Sequence, residues 1–179
     1  MTIAIKPTAS SATIEHNDST ILTVDSSGNI TPSNGLYQKA PAFSAYMSSG
    51  SQSVSSAVWT KVALNAEHFD TTSDYDNSTN YRFTPSVAGY YQVNFALRAD
   101  ATSKTRVHCA LYKNGSVWHY GMGNRDGTSS PTYVSGNSLI YLNGSTDYIE
   151  MYGYSNGTSP TFAGTDQRFS TFEAHLVSV

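Results

Sequence analysis

The clearest pattern in the chain is the strict alternation across residues 91–97. Tyr91, Val93, Phe95 and Leu97 fall on one face, and Gln92 and Asn94 fall on the other. Period two over this length predicts a half-buried β-strand. The chain enters it through a corner at residues 85–89, where Gly89 stands at a bend that favours a residue without Cβ. A polar turn and a short edge segment through Phe83 precede the corner. Downstream, residues 107–113 and 116–120 flank Asn114-Gly115, the signature of a type I′ hairpin. Short strands follow at 133–134 and 139–142, then an Asn143-Gly144 turn. Residues 148–154 set Ile149, Met151 and Gly153 against Tyr148, Glu150, Tyr152 and Tyr154. Residues 58–64 set Val58, Thr60 and Val62 against Trp59, Lys61 and Ala63, and 169–179 read as a closing strand. Residues 48–56, 65–80, 121–130 and the stretch opening at Asn156-Gly157 read as polar loops. With no sustained helical period and about nine or ten short strands, the pattern predicts an all-β, antiparallel sandwich.

Residues 1–36 are patterned differently. Ile3, Ile5, Ile14, Ile21, Leu22, Val24 and Ile30 are separated by polar, turn-rich pieces, among them a turn signal at residues 25–29. Such strands are too short and too few to bury a core alone, yet too apolar for a free tail. They read as a short extended N-terminal arm that anchors the protein by ordering against another copy or a partner particle. The competing reading is a strand pair folded onto its own head. Pro41 holds Ala40 extended. The expected division is therefore 1–40 as arm and junction and 41–179 as head, with Phe43 opening the first head strand.

Composition narrows the classes. Charged residues make up only 13% of the chain, against 39% hydrophobic, which argues against charge-driven disorder. A net charge of −3 without any Lys/Arg run gives no support for nucleic-acid binding. The single cysteine, Cys109, lies in the alternating run with Val107 and Leu111 and reads as core, with no internal disulfide to form. The N-terminus lacks an export signal, and no run nears the ~20 apolar residues of a membrane span. The expectation is a protein made in the cytoplasm without membrane insertion.

Candidate chemistry is sparse. The five histidines are scattered, with no metal-ligand spacing, no Gly-x-Ser-x-Gly elbow and no phosphate-cradling loop. The expectation is no enzyme, no cofactor and no metal. Asp70, Asp74, Asp76 and Asn77 form the one acidic cluster, read either as a solvated turn or as oxygen ligands for Ca²⁺. Asn-x-Ser/Thr triplets at Asn17, Asn77, Asn114, Asn143 and Asn156 are explained by turn chemistry. Six aromatics lie outside obvious core positions: Trp59, Tyr90, Trp118, Tyr148, Tyr152 and Tyr154. They read either as a half-buried second sheet face or as a subunit contact.

The spacing Phe83, Gly89, Tyr91, Val93, Phe95 resembles the core signature of the complement C1q globular head, one of the tumour-necrosis-factor-like (TNF-like) jelly rolls. Tyr75, Asp76, Ser78 and Thr79 match the approach to it, residues 138–153 resemble the strand pair before the last loop, and residues 170–176 resemble the closing strand. The likeness covers residues 41–179. Val93 stands where an aromatic is usual, Ala174 where a glycine is usual, and the loop before Phe83 is one residue longer. The resemblance implies a C1q/TNF-like jelly-roll β-sandwich and a compact homotrimer; some such heads bind calcium. Residues 20–35 resemble N-terminal pieces of bacteriophage fibre and surface proteins. The combination implies a non-enzymatic bacteriophage virion structural protein. It would be a homotrimeric capsid decoration (cement) protein, its arm on the major capsid protein and its head facing solvent at the virion surface. The alternative is a tail component, a tail-fibre or receptor-binding protein whose Tyr- and Asn-rich loops recognise a host-surface glycan.

Overall fold

The computed structural model describes residues 3–7, 11–16, 19–32, 40–48, 50–123, 131–163, 166 and 169–179, and their regular structure is entirely β. The chain forms two compact units, Met1–Gln38 and Lys39–Val179.

The first unit is a single-layer antiparallel meander of four strands, β1 (Ile3–Pro7), β2 (Ser11–His16), β3 (Ser19–Asp25) and β4 (Ile30–Pro32). The expected turn at 25–29 is present. The Asp25 carboxylate accepts hydrogen bonds from the Ser27 and Asn29 amides at 2.9 Å, and Gly28 takes φ +83°. Register gathers the apolar residues on one face, because paired residues in antiparallel strands point the same way. Ile14 faces Leu22, and Ala12, Val24 and Ile30 share a row. Thr13, Thr23 and Thr31 form the opposite face. In β1, the backbones of Ile3 and Ile5 pair with His16 and Ile14. Ile21 is the extra residue of a bulge and is exposed.

The second unit is a sandwich of two antiparallel sheets. Its spine is β11 (Ala88–Thr102). One edge of β11 pairs along most of its length with β14 (Thr132–Asn143). The other edge is divided between β17 (Thr171–Ser178) and β16 (Thr158–Ala163). From β17 the sheet continues to β5 (Ala42–Tyr46) and β8 (Ala66–Asp70), and from β16 to β6 (Ser51–Ser53). The facing sheet runs β13 (Ser116–Tyr120), β12 (Val107–Lys113), β15 (Ile149–Ser155), β10 (Arg82–Phe83), β9 (Tyr75–Asp76), with β7 (Thr60–Lys61) also on β15.

The predicted inward face of β11 is the centre of the core: Tyr91, Val93, Phe95, Leu97 and Ala99 are all buried. Around it Phe43 stacks on Phe83 at 4.5 Å and on Tyr75 at 4.8 Å, and meets Phe172 edge-on at 5.1 Å. Each such side chain contributes about 1.5–3 kcal/mol by leaving water, so the residues that carry the family signature are also those that hold the sheets together. Val93 and Ala174, which both depart from the family pattern, are direct cross-strand partners. A smaller residue at one position makes room for the extra methyl at the other, a volume-conserving exchange of the kind cores tolerate. Burial raises the Cys109 thiol pKa to about 12, so it is an inert core residue.

Three stretches read from the sequence as loops contain strands. These are β6 within 48–56, β8 and β9 within 65–80, and β16 after Asn156-Gly157. All are held by backbone pairing rather than by an alternating face. β8 meets β5 across a bulge that breaks its alternation, and β16 carries Pro160 and three hydroxyl residues. The two short strands expected at 133–134 and 139–142 are one strand, β14. Its middle residue Gly136 lies opposite Phe95, whose ring occupies the space a Cβ would need, 2.4 Å from Cζ. Val58 is exposed, and only Val62 and Leu64 of residues 58–64 reach the core.

Candidate functional site

The six aromatics singled out in the sequence lie on two opposite sides of the sandwich. Tyr148, Tyr152 and Tyr154 project from the outer face of the β12–β15 sheet and are half-buried by their own neighbours. Tyr152 stacks on Tyr112 at 3.9 Å, and the Arg82 guanidinium lies 4.4 Å from the Tyr148 ring centre. Between them Glu150 is buried and pairs with Lys61, whose ammonium also donates to the Asn80 carbonyl at 3.1 Å. Removing the cation would strand a buried carboxylate. Lys61→Met is therefore expected to cost about 3 kcal/mol, or roughly 6–12 °C of melting temperature at this size. Lys61→Met combined with Glu150→Gln should recover most of it in the same thermal-unfolding measurement.

At the end of that outer face the aromatics open into a groove of about 490 Å³, lined by Trp59, Arg106, His108, Tyr120, Gly121, Gly123 and Tyr154. Trp59 just precedes β7, whose pairing with β15 places its ring 5.5 Å from Tyr154, 5.6 Å from Tyr120 and 6.3 Å from His108. Sequence pattern alone gave no signal for this grouping, because its members come from four separate segments.

Tyr90 lies on the other side, on the outer face of the β11–β14 sheet, and meets Tyr141 edge-on at 5.4 Å. That face also presents Tyr133, Leu139 and Val177, all exposed. The edge strand β13 of the facing sheet exposes Val117 and Trp118, with Met122 just beyond it, while its Tyr120 lies against Trp59. The Trp118 indole N–H donates to Ser138 Oγ at 3.2 Å, holding this edge against β14. Alternation on β14 hid the patch, since an outward Leu139 or Tyr141 looks in sequence like any other residue of a strand.

The acidic cluster is engaged in turns. Asp70 accepts from the Tyr75 amide at 2.8 Å, Asp74 from the Ser86 amide at 3.0 Å, and Asp76 from the Thr79 amide at 2.9 Å. The Thr79 and Ser78 amides hold the Asp76 carboxyl well below the usual carboxylate range. Among the described residues no three His, Cys, Asp or Glu side chains converge as metal ligands. The triplet asparagines act as turn formers: Asn114 and Gly115 both take positive φ, and the Asn143 side chain accepts from the Thr146 and Asp147 amides at 2.9 Å. Asn17 lies outside the described residues.

No protein-family model and no curated protein matches the chain. Solved structures do. The globular domain of zebrafish complement 1qA is 19% identical, with a TM-score of 0.56, covering 77% of this chain and 97% of its own. The Eiger TNF of S. frugiperda is 8% identical with a TM-score of 0.59, covering 78% of this chain and 94% of its own. The head is a C1q/TNF-like jelly roll. Murine APRIL aligns over the same jelly roll at 7% identity and a TM-score of 0.57, covering 76% of this chain and 98% of its own. At these identities what is shared is the fold, and jelly rolls carry many functions.

Proposed function

We propose that this protein is a non-enzymatic, homotrimeric virion decoration protein of a bacteriophage, anchored to the major capsid protein by its N-terminal unit and displaying the jelly-roll head. The observation that carries this reading is the one-sided arm sheet. Ala12, Ile14, Leu22, Val24 and Ile30 line one face of a single layer, with no second layer among the described residues of its unit, and Ile30 is 60% exposed. A sheet with one apolar face needs something to cover it. The phage assignment rests on the resemblance of residues 20–35 to phage surface proteins. The trimer is supported by the apolar outer face around Tyr90, Leu139 and Tyr141, continued by Trp118 on β13. Three arms held together would turn weak contacts into avidity. The competing reading, a tail-fibre or receptor-binding head, is favoured by the aromatic groove beside Trp59.

Copy number in purified particles separates the two. Quantitative mass spectrometry should find hundreds of copies for a lattice decoration and a few, in multiples of three, for a tail component. Absence from particles would refute both. Deleting residues 1–38 should leave a head that melts like the full chain but no longer co-sediments with particles. A truncated head that fails to fold would make the first unit part of the core.

A further inference from the structure

We propose that the groove between Trp59, Tyr120 and Tyr154 binds an acidic saccharide, with the sugar ring on the aromatic faces and its carboxylate on Arg106. The three rings are 5.5–5.6 Å apart about Trp59 and line an open groove of about 490 Å³, a volume in the range of small-ligand sites. The negative face of an aromatic ring attracts the weakly positive C–H face of a pyranose. Arg106 supplies the charge. Arg106 lines the groove, and its guanidinium, which no carboxylate pairs with among the described residues, carries a fork of donors that suits a bidentate carboxylate contact. Its backbone is fixed in place: the Asn156 side chain accepts from the Arg106 amide at 2.8 Å and the Thr105 amide at 3.0 Å, and the Asn156 amide donates to the Arg106 carbonyl at 3.2 Å. The floor is cleared by Gly123, where a Cβ would fall 1.9 Å from His108 Nδ1. The ligand class deepens the receptor-binding reading. All the lining residues of the groove come from one chain, so it needs no partner copy to form.

The test is tryptophan fluorescence of the full chain carrying Trp118→Phe, which leaves Trp59 as the reporter. Glucuronic, galacturonic and N-acetylneuraminic acids are titrated beside glucose, galactose and N-acetylglucosamine at millimolar concentration. At least one acid should quench Trp59 and bind more tightly than the neutral sugars. Arg106→Gln should weaken that acid about tenfold, as expected for loss of a charged hydrogen-bonding partner, and leave it no tighter than a neutral sugar. Tyr154→Ser, followed by NMR saturation transfer, should abolish binding of both, with unchanged circular dichroism as the control for folding. The proposal is overturned if no acid binds, if neutral sugars bind as tightly, or if Arg106→Gln binds the acid as tightly as the parent. Particle copy number and oligomeric state do not enter these outcomes, so failure here leaves the decoration reading intact.

Discussion

Replacing Gly89 with valine is expected to destabilise the head by about 4 kcal/mol, lowering its melting temperature by roughly 8–16 °C. Gly89 has φ +158°, and a Cβ there would lie 2.4 Å from the Ser178 carbonyl oxygen and 2.6 Å from Leu176 Cδ1. The obstacle is backbone of β17, which cannot rotate away as a side chain could. The alternatives are to push β17 off β11 or to shift the corner, and either opens the pairing that seats Phe172 opposite Phe95. Gly50 provides the control. It has φ +70° with nothing within 4 Å of an added Cβ, so Gly50→Ala bears only the left-handed penalty of about 1–2 kcal/mol. Thermal unfolding of the two variants beside the parent decides the matter. A Gly89→Val head that melts with the parent would mean that β17 does not close on β11 in this register.

What the sequence made legible follows from where the physics is local. The 91–97 alternation, the Asn114-Gly115 turn and the Gly89 corner each depend on a few adjacent residues, and all appear where expected. β6, β8 and β16 were hidden because their order comes from partners far along the chain. β6 pairs with β16, and β8 with β5. β14 is continuous where two short strands are expected, and its Gly136 is a strand residue whose missing Cβ admits the Phe95 ring. The aromatics posed the same difficulty at the level of the site. A tyrosine outside the core pattern looks alike in sequence whether it stacks on its own sheet, as Tyr152 does on Tyr112, or stands on an open face, as Tyr90 does. Only the fold separates the groove beside Trp59 from the face around Leu139.

That separation yields the second large effect. If the proposed trimer packs on this face, the double variant Leu139→Asp, Tyr141→Asp is expected to elute as a folded monomer, and the parent as a trimer, in size-exclusion chromatography with light scattering. In one chain the two side chains are 55% and 47% exposed, so the substitutions should cost the isolated fold little, within about 0.5 kcal/mol each for surface changes. In a trimer packed on this face every subunit would bury two new carboxylates without partners. At several kcal/mol per buried unpaired charge and tenfold per 1.4 kcal/mol, assembly should weaken by about a thousandfold or more. Tyr152→Asp is the counterpart on the opposite sheet. It removes a ring stacked at 3.9 Å on Tyr112 and places a carboxylate beside the buried Glu150. It should therefore lower the melting temperature while leaving the surviving folded protein trimeric. If the β14 variant stays trimeric and Tyr152→Asp dissociates, the contact lies on the β12–β15 face instead. If neither changes the mass, the head assembles through neither sheet face.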